Sequence, residues 1–252
     1  EEKGLAAPTL PDHSPRMARV DEGPVYELRI YAAAEDRLGH LVKRFREHTD
    51  RLFRKHKMEP VGYWLPTDGT AKEKRRFVYI LKHPSRYAAY KNWNAFTHDP
   101  EWKRGVLEQP EFQRLLSERP TSIFMTATDY SAKAPTLSTK IGGVYELRTY
   151  TAAENKLAML NARFANHTTK FFLKHGIGNI GYWTPYDRPE SENTLIYLIQ
   201  HESREKADKN WQSFSQDPQW KKVARDSQRQ GKLLKRKPER LYLKPLDFSP
   251  AK

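Results

Sequence analysis

Residues 25–38 read VYELRIYAAAEDRL, and 119 positions later residues 144–157 read VYELRTYTAAENKL. Laid over each other without a gap, 25–64 and 144–183 share 21 identities in 40 positions; past one deleted residue, 77–103 and 195–221 share 13 in 27. A period this long is not that of a solenoid, whose repeats run roughly 20–50 residues, so each copy is a domain-sized unit. The chain therefore reads as a Pro-bearing extended arm (1–24), a first domain (25–131), a Ser/Pro/Lys/Gly linker (132–143) and a second domain (144–249).

Each copy repeats one order of elements. VYELRIY alternates and is rich in β-formers, which predicts a strand. From Glu35 to His56 the apolar residues Leu38, Leu41, Val42, Phe45, Leu52 and Phe53 have the spacing of one amphipathic helix. VGYWL and RFVYILKH read as two strands joined by the charged turn PTDGTAKEKR. Ser85 starts a second helix, and Asp99-Pro100 a short third one, with Asp as cap and Pro where no N–H is needed. SIFMTATDYS closes the first copy and RLYLKPLDFS the second. The order is β-α-β-β-α-β, the ferredoxin-like arrangement. One such sheet leaves a face bare that a second can cover, so the expected fold class is α+β, two halves packed sheet to sheet as an intrachain α+β barrel.

Apolar residues make up 37% of the chain and aromatics 12%, which suits a globular protein. No run of 18 apolar residues occurs, so no membrane span is expected. Cysteine is absent, which removes disulfides and thiolate chemistry and leans towards an exported protein. The formal charge of +14, densest in GKLLKRKPER (231–240), admits an anionic partner or a soluble basic surface. Without a zinc-finger or RNA-recognition signature, nucleic acid is not expected.

VYELRTY, GYW, the Asp-Pro-x-Trp helix start and the closing Leu-Asp-Phe-Ser together resemble the NIPSNAP family, over 25–131 and again over 144–249. The resemblance implies a dimeric α+β barrel of ferredoxin-like domains, formed here inside one chain. It leaves the activity open: eukaryotic relatives are linked to mitochondria and vesicle traffic, and barrel relatives outside the family include cofactor-free monooxygenases and haem proteins.

Three sets of residues are candidates for chemistry. Glu27, Arg29 and Tyr31 share one face of the first strand, and Glu146, Arg148 and Tyr150 repeat them. Such a pair could hold an anionic substrate while Glu acts as base, or it could be a ladder that registers the sheets. The helices are expected to take the Tyr26/Leu28 face and turn Glu27 and Arg29 into the barrel. His48 and His167 fall on the stripe facing the sheet, as a general base in a helix/sheet pocket or as satisfied core histidines. Only if His48 and Glu27 share a side of the sheet can they act together. Tyr63, Trp64 and Tyr79, repeated as Tyr182, Trp183 and Tyr197, could wall a ligand pocket, with Gly62 and Gly181 letting a backbone or ligand come close. No Ser-His-Asp arrangement and no metal site are read. No cofactor is expected, although a haem would need only one axial histidine, such as His48 or His83.

The reading that follows is a NIPSNAP-like barrel binding a small anionic or aromatic ligand. Its alternatives are an oxygenase- or isomerase-like enzyme using His with Glu/Arg, and an interaction scaffold with a basic surface; self-association into a homo-oligomer stays open. The copies are expected to differ. Arg46 and Glu47 become Ala165 and Asn166, and Lys57, Glu59 and Pro60 become Gly176, Gly178 and Asn179. Those glycines are expected to loosen a pocket mouth, which points to the second copy as the binding one.

Overall fold

The computed structural model describes residues 23–131 and 143–250, so almost all of the expected arm and linker lies outside the described residues. The first copy runs β1 (Val25–Ala32), α1 (Leu38–Arg44), α2 (Asp50–Lys55), β2 (Glu59–Pro66), α3 (Ala71–Lys74), β3 (Arg76–His83), α4 (Arg86–Thr97), α5 (Pro100–Trp102) and β4 (Thr121–Ala127). The second runs β5 (Val144–Thr151), α6 (Leu157–Arg163), α7 (Thr169–Lys174), β6 (Gly178–Pro185), β7 (Thr194–His201), α8 (Arg204–Gln216), α9 (Pro218–Asp226) and β8 (Glu239–Pro245). Within the first copy β3 pairs antiparallel with β1 and β2, and β7 repeats this with β5 and β6. In hydrogen-bonding order the strands run β1-β3-β2-β8-β5-β7-β6-β4 and close as an eight-stranded barrel, the α+β class expected. None of the described helices is long and apolar enough to cross a membrane.

Helix starts follow the sequence. Ser85 and Ser203 accept the N–H of Ala88 and Lys206, and Asp99 and Asp217 cap the Pro-led helices α5 and α9. The charged turn between β2 and β3 holds α3, opened by a capping box between Thr70 and Glu73.

The single long helix of each copy is not continuous. A π turn at Phe45–Thr49 joins α1 to α2, and its copy at Phe164–Thr168 joins α6 to α7. Thr49 and Thr168 donate their hydroxyls to carbonyls five residues back, at Arg44 and Arg163. The wider turn shifts the helical phase. Leu41, Phe45, Leu52 and Phe53 all stay buried, but the inward place between them goes to Thr49 rather than His48. His48 is half-exposed and His167 exposed, so neither sits on the sheet-facing stripe as expected.

The expected strand parity is also reversed. Glu27, Arg29 and Tyr31, not Tyr26 and Leu28, face the helices, since Glu27 meets Trp93 of α4 and Tyr31 meets Phe45. Tyr31, Tyr63, Phe77, Tyr79 and Leu81 then form one core with Phe45, Phe53 and Trp93. Tyr150, Tyr182, Leu195, Tyr197 and Ile199 repeat it with Phe164 and Phe172.

The two compact units do not coincide with the two sequence copies: the division falls after Phe124 and again after Lys244, so each unit includes the other copy's last residues. In unit 1, Leu246 donates its N–H to Tyr63, the Tyr63 N–H bonds Ser249 Oγ at 2.9 Å, and Phe248 packs on the Tyr63 ring. In unit 2, Thr128, Ser131 and Tyr130 make the same contacts to Tyr182.

Gly62 and Gly181 make room for a neighbour in their own strand, not for a ligand. A Cβ on either would lie 2.3 Å from the indole of Trp64 or Trp183, two residues on. Gly62→Ala should therefore cost about 1–3 kcal/mol of stability in urea titration. Gly39→Ala, in α1 with open space around it, should stabilise by about 0.5–1 kcal/mol. Lys57 (φ 58°) and Gly176 (φ 72°) occupy the same left-handed position after the helix, so the glycine relieves strain there rather than loosening a pocket mouth. Lys57→Gly should raise the urea midpoint, by about 0.5–1 kcal/mol in free energy.

Candidate functional site

The strand Glu/Arg pairs sit at the centre of closed networks. Glu27 is 0% exposed and receives four bonds: Arg29 Nη1 at 2.7 Å, Trp93 Nε1 at 2.7 Å, Ser122 Oγ at 2.7 Å and His83 Nε2 at 3.1 Å. Arg29 lies over the Trp93 ring at 4.6 Å and reaches the Tyr31 hydroxyl, which accepts from Tyr79 at 2.8 Å. In unit 2, Glu146 meets Arg148, Trp211 and His201 in the same way, and Arg148 lies 4.3 Å over Trp211. Burial pushes the Glu27 carboxyl up, but Arg29 and His83 outweigh it and hold it at about 2. Glu146 is likewise lowered, burial being outweighed by His201 and Arg148. A carboxylate with its lone pairs spent and no path to water is a poor base. These clusters fasten α4 and α8 to their sheets, which is the registering role among the two considered.

His48 does not share this cluster. It stands on the outer helix face, edge-on to Phe112 at 5.6 Å, with Glu47 4.0 Å away. The four hydrogen bonds to Glu27 do not include His48. The aromatic candidates Tyr31, Tyr63, Trp64, Tyr79, Tyr150, Tyr182, Trp183 and Tyr197 are all buried in their units, none more than 9% exposed, as packing rather than pocket wall. His83 and His201 have Nε2 committed to glutamate. Among the described residues no three His, Asp or Glu side chains converge as metal ligands.

One correction concerns Ser-His-Asp. His175 lies 2.7 Å through Nδ1 from Ser213 Oγ and 2.9 Å through Nε2 from Asp217. Asp217 is already spent on Lys174 and on capping α9, and the Lys174 bond, with that of His175, holds its carboxyl well below the ordinary range. The first copy keeps the His56–Asp99 contact at 2.6 Å with Ala95 in place of the serine. The His–Asp pair therefore ties helix ends together, and Ser213 is an addition to it.

A concave site of unit 2 lies elsewhere, between two helices rather than between helix and sheet. A groove of about 380 Å³ runs between α6 with its π turn and α9. Met159, Ala162 and Val223 supply apolar wall; Arg163, Asn166, His167, Lys222, Asp226 and Ser227 supply polar groups. Arg163 is half-buried over the Trp220 ring at 5.5 Å, its Nη1 is a long 3.5 Å from Ser227, and its buried Nε has no partner. Burial lowers this guanidinium from its ordinary value. Asp226 is taken by Lys222 at 2.8 Å and Arg229 at 2.9 Å.

The first copy closes the same place with three residues. Phe112 covers His48, and Lys43 pairs with Glu111 at 2.7 Å. Aligned with the one deleted residue between them, Ala162, Arg229 and Gln230 stand where the first copy has Lys43, Glu111 and Phe112. Both the ion pair and the covering ring are lost, and the groove is what remains. Comparing 103–116 with 221–234 residue by residue would have revealed this from sequence.

The buried cluster carries a pH signature. Glu27 is depressed in the folded state, so its contribution is complete above about 4.5 and is lost as pH falls towards about 2. Glu27→Gln should lower stability by about 3–5 kcal/mol at neutral pH and flatten the acid limb of the urea-midpoint profile.

Comparisons with known proteins agree with the fold. Over 89% of its length the chain is similar to a putative monooxygenase from Lactobacillus acidophilus NCFM, covering 94% of that chain at 10% identity and a TM-score of 0.56. An anthrone oxidase-like protein matches over 92% of this chain and 96% of its own, at 11% identity and a TM-score of 0.53. A NIPSNAP family protein from Agrobacterium tumefaciens str. C58 aligns over 43% of this chain and 92% of its own, at 19% identity and a TM-score of 0.37. Comparison with curated protein sequences finds no match. The NIPSNAP family model matches residues 26–132 and again 145–250. With both copies matched almost end to end, the chain belongs to the NIPSNAP family.

Proposed function

We propose that this protein binds a small amphipathic anion in the groove of its second unit, without turnover. The observation that carries the reading is Arg163, a half-buried cation whose Nε has no partner beside a groove of about 380 Å³. A buried guanidinium lacking a counter-charge favours a ligand bearing one. A carboxylate or phosphate beside Arg163, within reach of His167 and Lys222, would supply it. An aliphatic or aromatic body would then lie over Met159, Ala162 and Val223. The volume is near the lower end of small-molecule pockets, about 300–1,000 Å³, which suits a fragment-sized ligand. The burial of the strand Glu/Arg pairs and the absence of His48 from their hydrogen bonds favour this reading over an oxygenase- or isomerase-like one.

Native mass spectrometry of the purified protein should show a co-purifying small anion, or titration calorimetry with aromatic and aliphatic carboxylates should show saturable binding. Arg163→Met should weaken that binding about tenfold or more, since a charge-assisted bond contributes about 1.5–3 kcal/mol. Ala162→Trp, which fills the groove, should abolish it, while Arg44→Met in unit 1 should leave it in place. Unchanged binding in both groove variants would refute the reading.

A further inference from the structure

The net charge is unevenly divided between the copies. Residues 221–240 hold nine Lys/Arg against two Asp/Glu, whereas the matching stretch 103–122 holds four against three. Half of the whole chain's excess of +14 therefore sits in twenty residues of unit 2. The stretch is not a loose tail. Leu233 is 0% exposed, Ala153 donates its N–H to the Leu233 carbonyl, and Lys235 donates its own to Thr151. Arg236 Nε reaches Thr151 Oγ1 at 3.0 Å, and Lys156 Nζ reaches the Gln230 carbonyl at 3.0 Å.

With Leu233 turned inward, Lys232, Lys235, Arg236 and Lys237 are all exposed, as are Lys221 and Arg225 on α9. The stretch's acids answer only part of this charge, since Asp226 pairs with Lys222 and Arg229, and Glu239 with Arg236. Among the described residues, Lys221, Arg225, Lys232, Lys235 and Lys237 have no ion pair. Fixing five like charges on an anchored segment costs self-repulsion that a neutral sequence avoids, as the first copy shows. An anionic surface would remove that cost.

We propose that this basic face docks the protein on a membrane surface carrying anionic phospholipid headgroups. Nucleic acid is the weaker fit. None of residues 221–240 is aromatic, so the stretch offers no platform for base stacking, and five of its nine cations are lysines, point charges rather than bidentate base readers. A diffuse plane of headgroups asks only for charge within a Debye length. The inference stands apart from the groove, which lies beside this face but is not required by it.

Sedimentation with sucrose-loaded vesicles tests it on the full chain. The protein should pellet with vesicles of phosphatidylcholine containing about a third phosphatidylserine and stay in solution with pure phosphatidylcholine, and salt near 0.5 M should release it. Replacing Lys232, Lys235, Lys237 and Arg225 with Gln should cut the partition coefficient by about two to three orders of magnitude. Ala162→Trp should leave it unchanged, which separates this proposal from the ligand reading. Circular dichroism confirms that the quadruple variant is folded; should it not be, Lys232→Glu with Lys237→Glu serves the same purpose. Equal binding to neutral vesicles, undiminished binding by the folded variant, or binding to a single-stranded RNA oligomer but not to the vesicles would each overturn the proposal.

Discussion

An ion pair two residues apart on one strand organises each unit. Glu27 and Arg29 project from the same face of β1, the face that must also receive the helices, and neither can be solvated there. Burying them is tolerable because each lone pair of the glutamate is given a donor from a different element: β3 through His83, α4 through Trp93 and β4 through Ser122. A buried pair satisfied this way contributes little net stability compared with an apolar substitute, but it penalises any other register severely. Sliding β1 by a single residue would turn the charges away from all three partners. The same arrangement in β5 without a serine, where Arg240 replaces Ser122, shows that strand, helix and histidine donors are the indispensable ones.

The element order, the helix starts and the barrel class were legible because each rests on a local signal that nothing distant opposes: alternation, an Asp-Pro cap, a turn. The face of β1 was not legible. Hydrophobic alternation says which residues share a face, but in a strand covered on both sides it does not say which face meets the helices. Tyr31, Tyr63, Phe77 and Tyr79 outweigh Tyr26 and Leu28 as packing surface, and the charged residues accompany them because they neutralise each other. His48 and His167 were misplaced for a different reason. A uniform helical period carries them inward, and a single threonine bonding five residues back is enough to carry them out again.

The duplication also separates what the fold needs from what has been free to change. The Glu–Arg–His–Trp network, the His–Asp tie between helix ends and the Gly–Trp contact recur in both units. The helix that follows α4 or α8 does not recur in the same form: in the first copy it passes into a π turn over Lys103–Leu107 and then lays Phe112 against His48, in the second it continues as an α-helix to Asp226 and leaves a groove. The repeated residues are buried in the two cores, whereas the groove proposed to bind a ligand lies where the repeat lapses. Repetition marked the framework, and divergence marked the cavity.

The exchange of closing residues sets the order in which the molecule can be finished during synthesis. Tyr63 lies in the first copy, yet its backbone partners are Leu246 and Ser249, the latter 186 positions further along the chain. A nascent first copy emerging from the ribosome has its helices and three strands but lacks the segment that caps β2, so that edge stays open until residues 246–249 have been made. The second copy has no such delay, because Thr128, Tyr130 and Ser131 are made before it. Unit 2 can therefore close before unit 1 does, although its sequence comes later. The closing segment of the second copy works as the last fastener of the first.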